Sequence, residues 1–504
     1  MKATYVIVFF MVPLLVQGQK FDNNWVIGHD YNINDDEHGR ITLCFNISPP
    51  EINYDIGTVN MNMFVTNTSM SDSDGNLLFY SNGCNIANND GQIILNGHDI
   101  NPGYYHTRLC DEIGRGYSAG YSSAVILQLP ESDSIYYMFH SSIKYIPPPQ
   151  EDAYVDRLQY SIIKTSANKK LVLEKNTPII IDSLASGELN AVKHANGKDW
   201  WVVQPKRYSN EYYIFLFTKN GVTDTLTQII GDLSPINSDL SGQASFSPLG
   251  DKMVRYYPNE DIQLLEFDRE TGTFVNYSTI KLDVGTSLAF AGGCSFSPNG
   301  QYLYVAALTN IYQFDMTASD ISATQTTVAT WDGFVDPIAI SFLTCQLGPD
   351  CKIYILGGGD TKYYHIIHNP DEPGLACNVE QRGLVLPTPS GASIPYFPNY
   401  RLGPIDNPGL PCSPVVAMNH PPLPLPEVHV WPNPAHDQLG FSLVENSIKS
   451  ISLRDALGRV VKTVSLGSSS GTYTMSVSDL AGGLYFWEIE DVKGRSLAGK
   501  VIIQ

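Results

Sequence analysis

The chain has 504 residues, 43% of them hydrophobic and 16% charged, which is apolar enough to bury a core and excludes wholesale disorder or a collagen-like design. Charged residues are scarce while 29 Tyr, 41 Gly and 32 Pro favour sheets joined by tight turns over helices built on Glu, Lys and Arg, so an all-β fold is predicted. The net charge of −20, nearly all carried before Glu427, repels phosphate backbones and anionic headgroups and argues against nucleic acid as a partner.

In chain order, Lys2 precedes an apolar run from Val6 to Val16, shorter than the roughly 20 residues of a bilayer span. Residues 1–18 therefore read as a cleaved secretory signal. Export makes the eight cysteines candidates for disulfides.

Internal repeats set the architecture expected for residues 20–403. Ser245-Phe246-Ser247-Pro248-Leu249-Gly250 recurs as Ser295-Phe296-Ser297-Pro298-Asn299-Gly300, and Leu347-Gly348-Pro349-Asp350 falls at the same interval again. Each turn is followed by a short strand rich in Tyr and β-branched residues, Lys252–Tyr256, Tyr302–Val305 and Lys352–Ile355, and then by a second strand. Looser copies stand at Asp74-Gly75-Asn76, Asp133-Ser134 and Asn196–Asp199. A repeat of about 50 residues built from short strands predicts a β-propeller of seven blades, with six or eight as alternatives. Strands near Trp25–Gly28 or Ile41–Ile47 would complete a blade begun at the C-terminal end. No cofactor is needed to hold such a fold.

Eight of the 23 residues from Pro404 to Pro426 are proline, which predicts a stiff linker over 404–426. Residues 427–504 then alternate as strands Ile448–Leu453, Val460–Val464, Tyr473–Val477, Leu484–Glu490 and Leu497–Ile502, enough for a small immunoglobulin-like β-sandwich.

Four motifs in that tail, Trp431-Pro432-Asn433-Pro434-Ala435, Asp455…Gly458-Arg459, Gly483-Leu484-Tyr485 and Gly499-Lys500-Val501-Ile502, resemble the C-terminal sorting domain of type IX secretion cargo in the Bacteroidetes. The resemblance implies a sorting role for Pro432, Asn433, Pro434, Asp455, Gly458, Arg459, Gly483, Tyr485 and Lys500. It further implies recognition by the type IX machinery, removal of the domain, and either release or attachment to surface lipopolysaccharide. Trp25–Gly28, Gly75–Gly83, Ser247-Pro248…Gly250 and Pro398–Gly403 resemble the large N-terminal propellers of secreted Bacteroidetes proteins, some of them associated with gliding motility, a group that implies no defined activity. Cys351 stands where those turns commonly have glycine.

Cys345 and Cys351 flank the Leu347–Asp350 turn and would face each other in a hairpin, while Cys377 and Cys412 would tie the last blade to the linker. Cys84 with Cys110 is a weaker third pair among about a hundred possible connectivities, and Cys44 and Cys294 read as buried thiols. No cysteine pair shows zinc-ligand spacing with nearby histidines, and His365 and His368 would point to opposite faces of a strand, so no metal site is predicted. Asp72, Asp74 and Asn76 alternate as calcium ligands do, but Leu77 occupies the place of the loop glycine, which leaves turn chemistry. No Gly-x-Ser-x-Gly elbow lies in the propeller region.

Two function classes follow. One is a non-catalytic secreted or surface protein that engages a glycan or protein partner through the loops Asn96–Gly120 and Lys144–Asp156, with Tyr104, Tyr105, His106 and Arg108 as contacts because aromatic and Arg side chains make large contacts. The other is a secreted polysaccharide hydrolase or lyase, which needs two convergent carboxylates or a His/Tyr pair in the central funnel.

Overall fold

The structure, a computed structural model, describes residues 19–28, 39–56, 61–166, 169–236, 242–285, 289–392, 394–412, 428–443, 448–455, 458–469, 472–491 and 496–504. The expected signal sequence, 1–18, lies outside them. The chain divides into two compact units, residues 1–416 and 417–504.

Among the described residues the large unit contains seven antiparallel sheets, each a meander of three or four strands consecutive in sequence. They open at strands Asn24–Ile27, Thr68–Ser71, Ala124–Gln128, Asn190–Lys193, Gln243–Phe246, Gly293–Phe296 and Cys345–Leu347. The repeated turns show how sequence makes each meander. Ser247 N–H donates to Lys252 O at 2.8 Å and Gly250 N–H to Ser247 O at 2.9 Å, and Ser297 and Gly300 repeat both bonds at 2.7 and 2.9 Å. Gly250 and Gly300 sit at φ 71° and 72°, a left-handed conformation that suits glycine. Cys351 holds that place in the seventh sheet at φ 64°.

Residues in or just before the opening strands join neighbouring sheets. Asn67 Nδ2 donates to Val26 O at 2.9 Å, Thr66 Oγ1 meets Ser123 Oγ at 2.8 Å, Leu189 N–H donates to Ser122 O at 2.9 Å, and Cys294 N–H donates to Gln243 Oε1 at 3.2 Å. The seventh sheet returns to the first, where Ser48 Oγ donates to Asp350 Oδ2 at 2.9 Å and the Trp25 and Tyr354 rings lie 5.4 Å apart. Apolar cores fill the spaces between neighbouring sheets: Trp201 and Ile214 against Met253 and Leu265, Val254 and Leu264 against Leu303 and Val305, Tyr304 and Ile311 against Ile353 and Ile367. Each sheet is thus covered on both faces, as its near-continuous apolar strands require.

The chain after the seventh sheet packs against several of the others. Tyr400 donates to Ile126 O at 2.6 Å in the third sheet, Tyr396 to Asn190 Oδ1 at 2.9 Å in the fourth, Asn399 Nδ2 to Pro248 O at 2.8 Å in the fifth, and Phe397 stacks 6.0 Å from Trp25 in the first. Arg401 then forks onto Asp22 at 2.6 and 2.7 Å. Sequence places Trp25–Gly28 or Ile41–Ile47 in a blade begun at the C-terminal end. In the structure Asn24–Ile27 pairs with Gly39–Cys44, and the returning segment packs through side chains, since Pro395 and Pro398 have no N–H for a ladder. Ile405 N–H donates to Ala195 O at 3.1 Å and Cys412 is disulfide-bonded to Cys351, so the body runs on through 404–412 of the expected linker; residues 413–427 lie outside the described set.

Two expected disulfides are corrected. Register pairs Cys345 with Ile355, so Cys345 is buried at the far end of its strand while Cys351 stays in the turn. Cys377 is buried beside Tyr304, its thiol pushed up to about 11 by burial. The bonds present are Cys351–Cys412 and Cys84–Cys110.

The small unit has two antiparallel sheets, one of Val428–Trp431, Gln438–Leu443 and Thr472–Ser476, the other of Val460–Ser469, Ile448–Arg454, Gly483–Asp491 and Ser496–Ile503. They share a core that includes Leu439, Phe441, Ile451, Leu453, Ile489 and Val501. The first two strands of this unit were not among the five expected.

Candidate functional site

The third sheet departs from the others in strand length. Ala124–Gln128 pairs only with Tyr136–His140, and Lys169–Leu184 reaches no further than Val155, so Lys144–Ile146 and Asp152–Tyr154 run on as a two-stranded hairpin with its tip at Pro147–Glu151. Lys144 pairs with Tyr154 and Tyr145 with Ala153, so Tyr145 and Tyr154 face opposite sides.

Tyr145 stacks on Tyr104 with ring centroids 4.6 Å apart and planes 19° apart. Behind Tyr154 the Arg207 guanidinium lies 5.3 Å from that ring and 4.5 Å from Tyr208, and it forks onto Asp152 at 2.8 and 3.2 Å. That fork holds the Asp152 carboxyl below its ordinary range. The hairpin is therefore packed from both sides and presents aromatic surface.

Tyr104 belongs to an insert between the second and third sheets, an α-helical turn at Tyr104–His106 continued as a π-helical turn at Thr107–Glu112 and stapled by Cys84–Cys110. The four predicted contact residues divide here. Tyr104 is 61% exposed, and Arg108 is exposed and ion-paired to Glu112 at 2.7 Å. Tyr105 is half-buried, edge-on to Tyr117 at 5.7 Å, and His106 is buried with Nδ1 2.7 Å from Ile100 O. The Tyr117 hydroxyl, pushed up to about 12 by burial, accepts from Ile143 N–H at 2.8 Å, which joins insert to hairpin. Tyr104 and Arg108 can meet a ligand; Tyr105 and His106 anchor the turn that displays them. Sequence reasoning missed Tyr145, whose signal was the unusual length of apolar alternation from Ile135 onward.

Other constellations are closed. His140 lies between Asn101 Oδ1 at 2.7 Å and Ser161 Oγ at 2.9 Å, a base with an orienting group and a hydroxyl, but all three are fully buried and burial pushes the imidazole down to about 3. His365 is buried on Ser341 O at 3.0 Å and burial lowers it to about 4, while His368 pairs with Glu380 at 2.7 Å. Asp72 Oδ1 accepts from the Asp74 and Asn76 N–H groups at 2.9 Å each, closing a turn. Between the sheets, a small cleft of about 70 Å³ is lined by Gln243, Ser245, Ser295, Gln346 and Asn399, with Asp22 as its one carboxylate among the described residues, already held by Arg401.

In the small unit the motif residues tie strands together. Asn433 Oδ1 accepts from Ile502 N–H at 3.0 Å, between Pro432 and Pro434, and Ala435 N–H donates to Ile502 O at 2.8 Å. Asp455 accepts from Arg459 N–H at 3.0 Å and pairs with its guanidinium at 2.7 Å, with Gly458 at φ 80°. Tyr485, two residues after Gly483, donates to Ala481 O at 2.8 Å. Lys500 is exposed, opposite Phe486, itself 44% exposed.

Residues 429–504 match the family described as Secretion system C-terminal sorting domain. No curated protein matches the chain. Among solved structures it is similar to a protein from Lactobacillus plantarum at 12% identity and TM-score 0.44, covering 74% of this chain and 99% of that one. It is also similar to a gluconolactonase from Xanthomonas campestris at 12% identity and TM-score 0.30, covering 68% and 94%. A third likeness is to the Dos1 propeller at 12% identity and TM-score 0.32, covering 68% and 91%. The chain thus carries a C-terminal sorting domain of the type IX secretion system, through which it associates with that export machinery and is secreted to the cell surface.

Proposed function

We propose that this chain is a non-catalytic glycan-binding protein of the outer cell surface or the secreted fraction, whose large unit is a seven-bladed β-propeller and whose small unit is an immunoglobulin-like sorting sandwich. The observation that carries the reading is the stacked Tyr104–Tyr145 pair, Tyr104 exposed and Tyr145 half-buried beneath it, on a hairpin and insert that are both clamped. A rigid aromatic face of this kind meets the apolar C–H face of a sugar ring at small conformational cost, with the Tyr hydroxyl as a polar handle. Arg108 adds directional donors beside it. The acidic body suits neutral or cationic ligands. The cleft between the sheets offers one carboxylate, already paired, where glycoside hydrolysis uses two.

Seven meanders whose opening strands follow one another round a centre support the propeller reading, and two facing sheets over one core support the sandwich. The match of Pro398–Gly403 to the secreted Bacteroidetes propellers acquires a physical role, because Asn399, Tyr400 and Arg401 tie that segment to other sheets. After export the sorting unit is removed, and the body is released or joined to lipopolysaccharide.

A glycan array probed with the exported protein tests the proposal. Saturable binding that Tyr104→Ala and Tyr145→Ala each weaken at least about tenfold, with no cleavage of the bound glycans, is the expected result. Degradation products would replace it with an enzyme, and binding to protein ligands alone would move the partner class.

A further inference from the structure

The fold brings two sulfurs and an imidazole together at the base of the helical insert. Cys84, His106 and Cys110 each offer a ligand atom, and these atoms all lie within 4.8 Å of one another. His106 and Cys110 are one helical turn apart on the insert, and Cys84 comes from the second sheet just before Ile86–Asn88. His106 is 5% exposed. Its Nδ1 lies 2.7 Å from the Ile100 carbonyl, which can only accept, so in the neutral ring Nδ1 carries the proton and Nε2 the lone pair. That lone pair faces the Asp111 carboxylate at 3.6 Å. A carbonyl holding the remote imidazole nitrogen is how a histidine is oriented towards a metal ion, and here the near nitrogen lies beside two sulfurs and a carboxylate.

We propose that, with the Cys84–Cys110 bond reduced, this cluster is a binding site for a divalent ion of the zinc class, held by Cys84 Sγ, Cys110 Sγ and His106 Nε2, with the Asp111 carboxylate within reach as a fourth ligand. The reductant is a dithiol: it supplies two electrons and two protons, opens the S–S bond to two thiols and becomes a disulfide itself. The ion then displaces both thiol protons to solvent, because thiolate is the ligand form. Tetrahedral zinc with Zn–S near 2.3 Å puts its sulfurs about 3.8 Å apart. The 5.9 Å Cα–Cα separation of the pair accommodates that spacing with side-chain adjustment. The insert that displays Tyr104 and Arg108 would then be stapled in both redox states, by a covalent bond in one and by an ion in the other.

Cobalt(II) is the probe. The full chain is reduced with dithiothreitol, freed of reductant under anaerobic conditions and titrated with Co²⁺. One equivalent producing a thiolate-to-cobalt charge-transfer band and tetrahedral visible bands, displaced by Zn²⁺, is expected, and the oxidised chain should give neither. His106→Gln should weaken cobalt binding at least about tenfold, Cys84→Ser should abolish the band, and a Cys44→Ser/Cys345→Ser background should retain it. Near-ultraviolet circular dichroism reports whether the reduced insert regains its fold with the ion. Equal binding by His106→Gln, binding that follows other cysteines, or a reduced chain that takes up no cobalt, folded or not, overturns the proposal.

Discussion

Replacing Arg401 by Met tests whether the segment after the seventh sheet closes the large unit. Arg401 and Asp22 are 7% and 10% exposed and joined by two bonds of 2.6 and 2.7 Å, although 379 residues separate them in sequence. Met preserves most of the side-chain volume and leaves the Asp22 carboxylate buried without its partner. Breaking one side of such a pair costs about 3–5 kcal/mol. With a melting entropy of about 2.1 cal/mol/K per residue, a body of roughly 400 residues loses about 4–6 °C in Tm for that change. Differential scanning calorimetry of the full chain measures it. Arg401→Lys should fall between the two, since it keeps the charge and loses the fork, and Asp22→Leu/Arg401→Met should recover much of the loss because no charge is stranded. An Arg401→Met chain melting within about 1 °C of wild type would refute the idea that this pair fastens the large unit.

Other outcomes follow from the same structure. Non-reducing peptide mapping should recover Cys351 with Cys412 and Cys84 with Cys110, and leave Cys345 and Cys377 alkylated only after unfolding; a Cys345–Cys351 peptide would contradict the register described above. His140 and His365 are held near 3 and 4 in the folded chain, below an ordinary value of about 6.5, so the unfolded chain binds more protons between those limits. Stability should therefore be full above about pH 6.5 and decline as pH falls towards 4, and His140→Gln should flatten that slope in urea melts taken across the range. In the sorting unit a Cβ on Gly499 would stand 2.3 Å from the Trp487 ring. Gly499→Ala should destabilise the unit by about 1–3 kcal/mol and shift the protein from the cell surface to the periplasm on fractionation; normal surface display would detach export from the integrity of that sheet.

How much of this was legible depended on how local the cause was. The Ser-Pro-x-Gly turns announce themselves because one hydroxyl and one left-handed glycine close each of them within a few residues. The strands after them, and five of the tail strands, carry their own alternation. The segment after the seventh sheet gave no such signal: its prolines break any ladder, and the groups that hold it, Ile126, Asn190, Pro248 and Asp22, lie in or beside four different sheets. The disulfides failed for the same reason. Proximity in sequence suggested Cys345 with Cys351, whereas strand register sends one to the core and leaves the other for Cys412. At the candidate site the aromatic run at Tyr104–Tyr105 could be read but not divided, because which ring faces solvent is decided by Tyr117 and Tyr145, each from another segment. His106 was chosen as a contact and serves as an anchor, and its closeness to two sulfurs rests on Cys84, brought there by the second sheet.

Calorimetric titration of the exported protein with the strongest array glycan, in parallel with Tyr104→Ala and Tyr145→Ala and with chromatography of the recovered glycan, tests the central claim most directly. Wild type should bind saturably, both variants at least about tenfold more weakly with unchanged melting, and the glycan should be recovered intact. Undiminished affinity in both variants, or a shortened glycan, would contradict it.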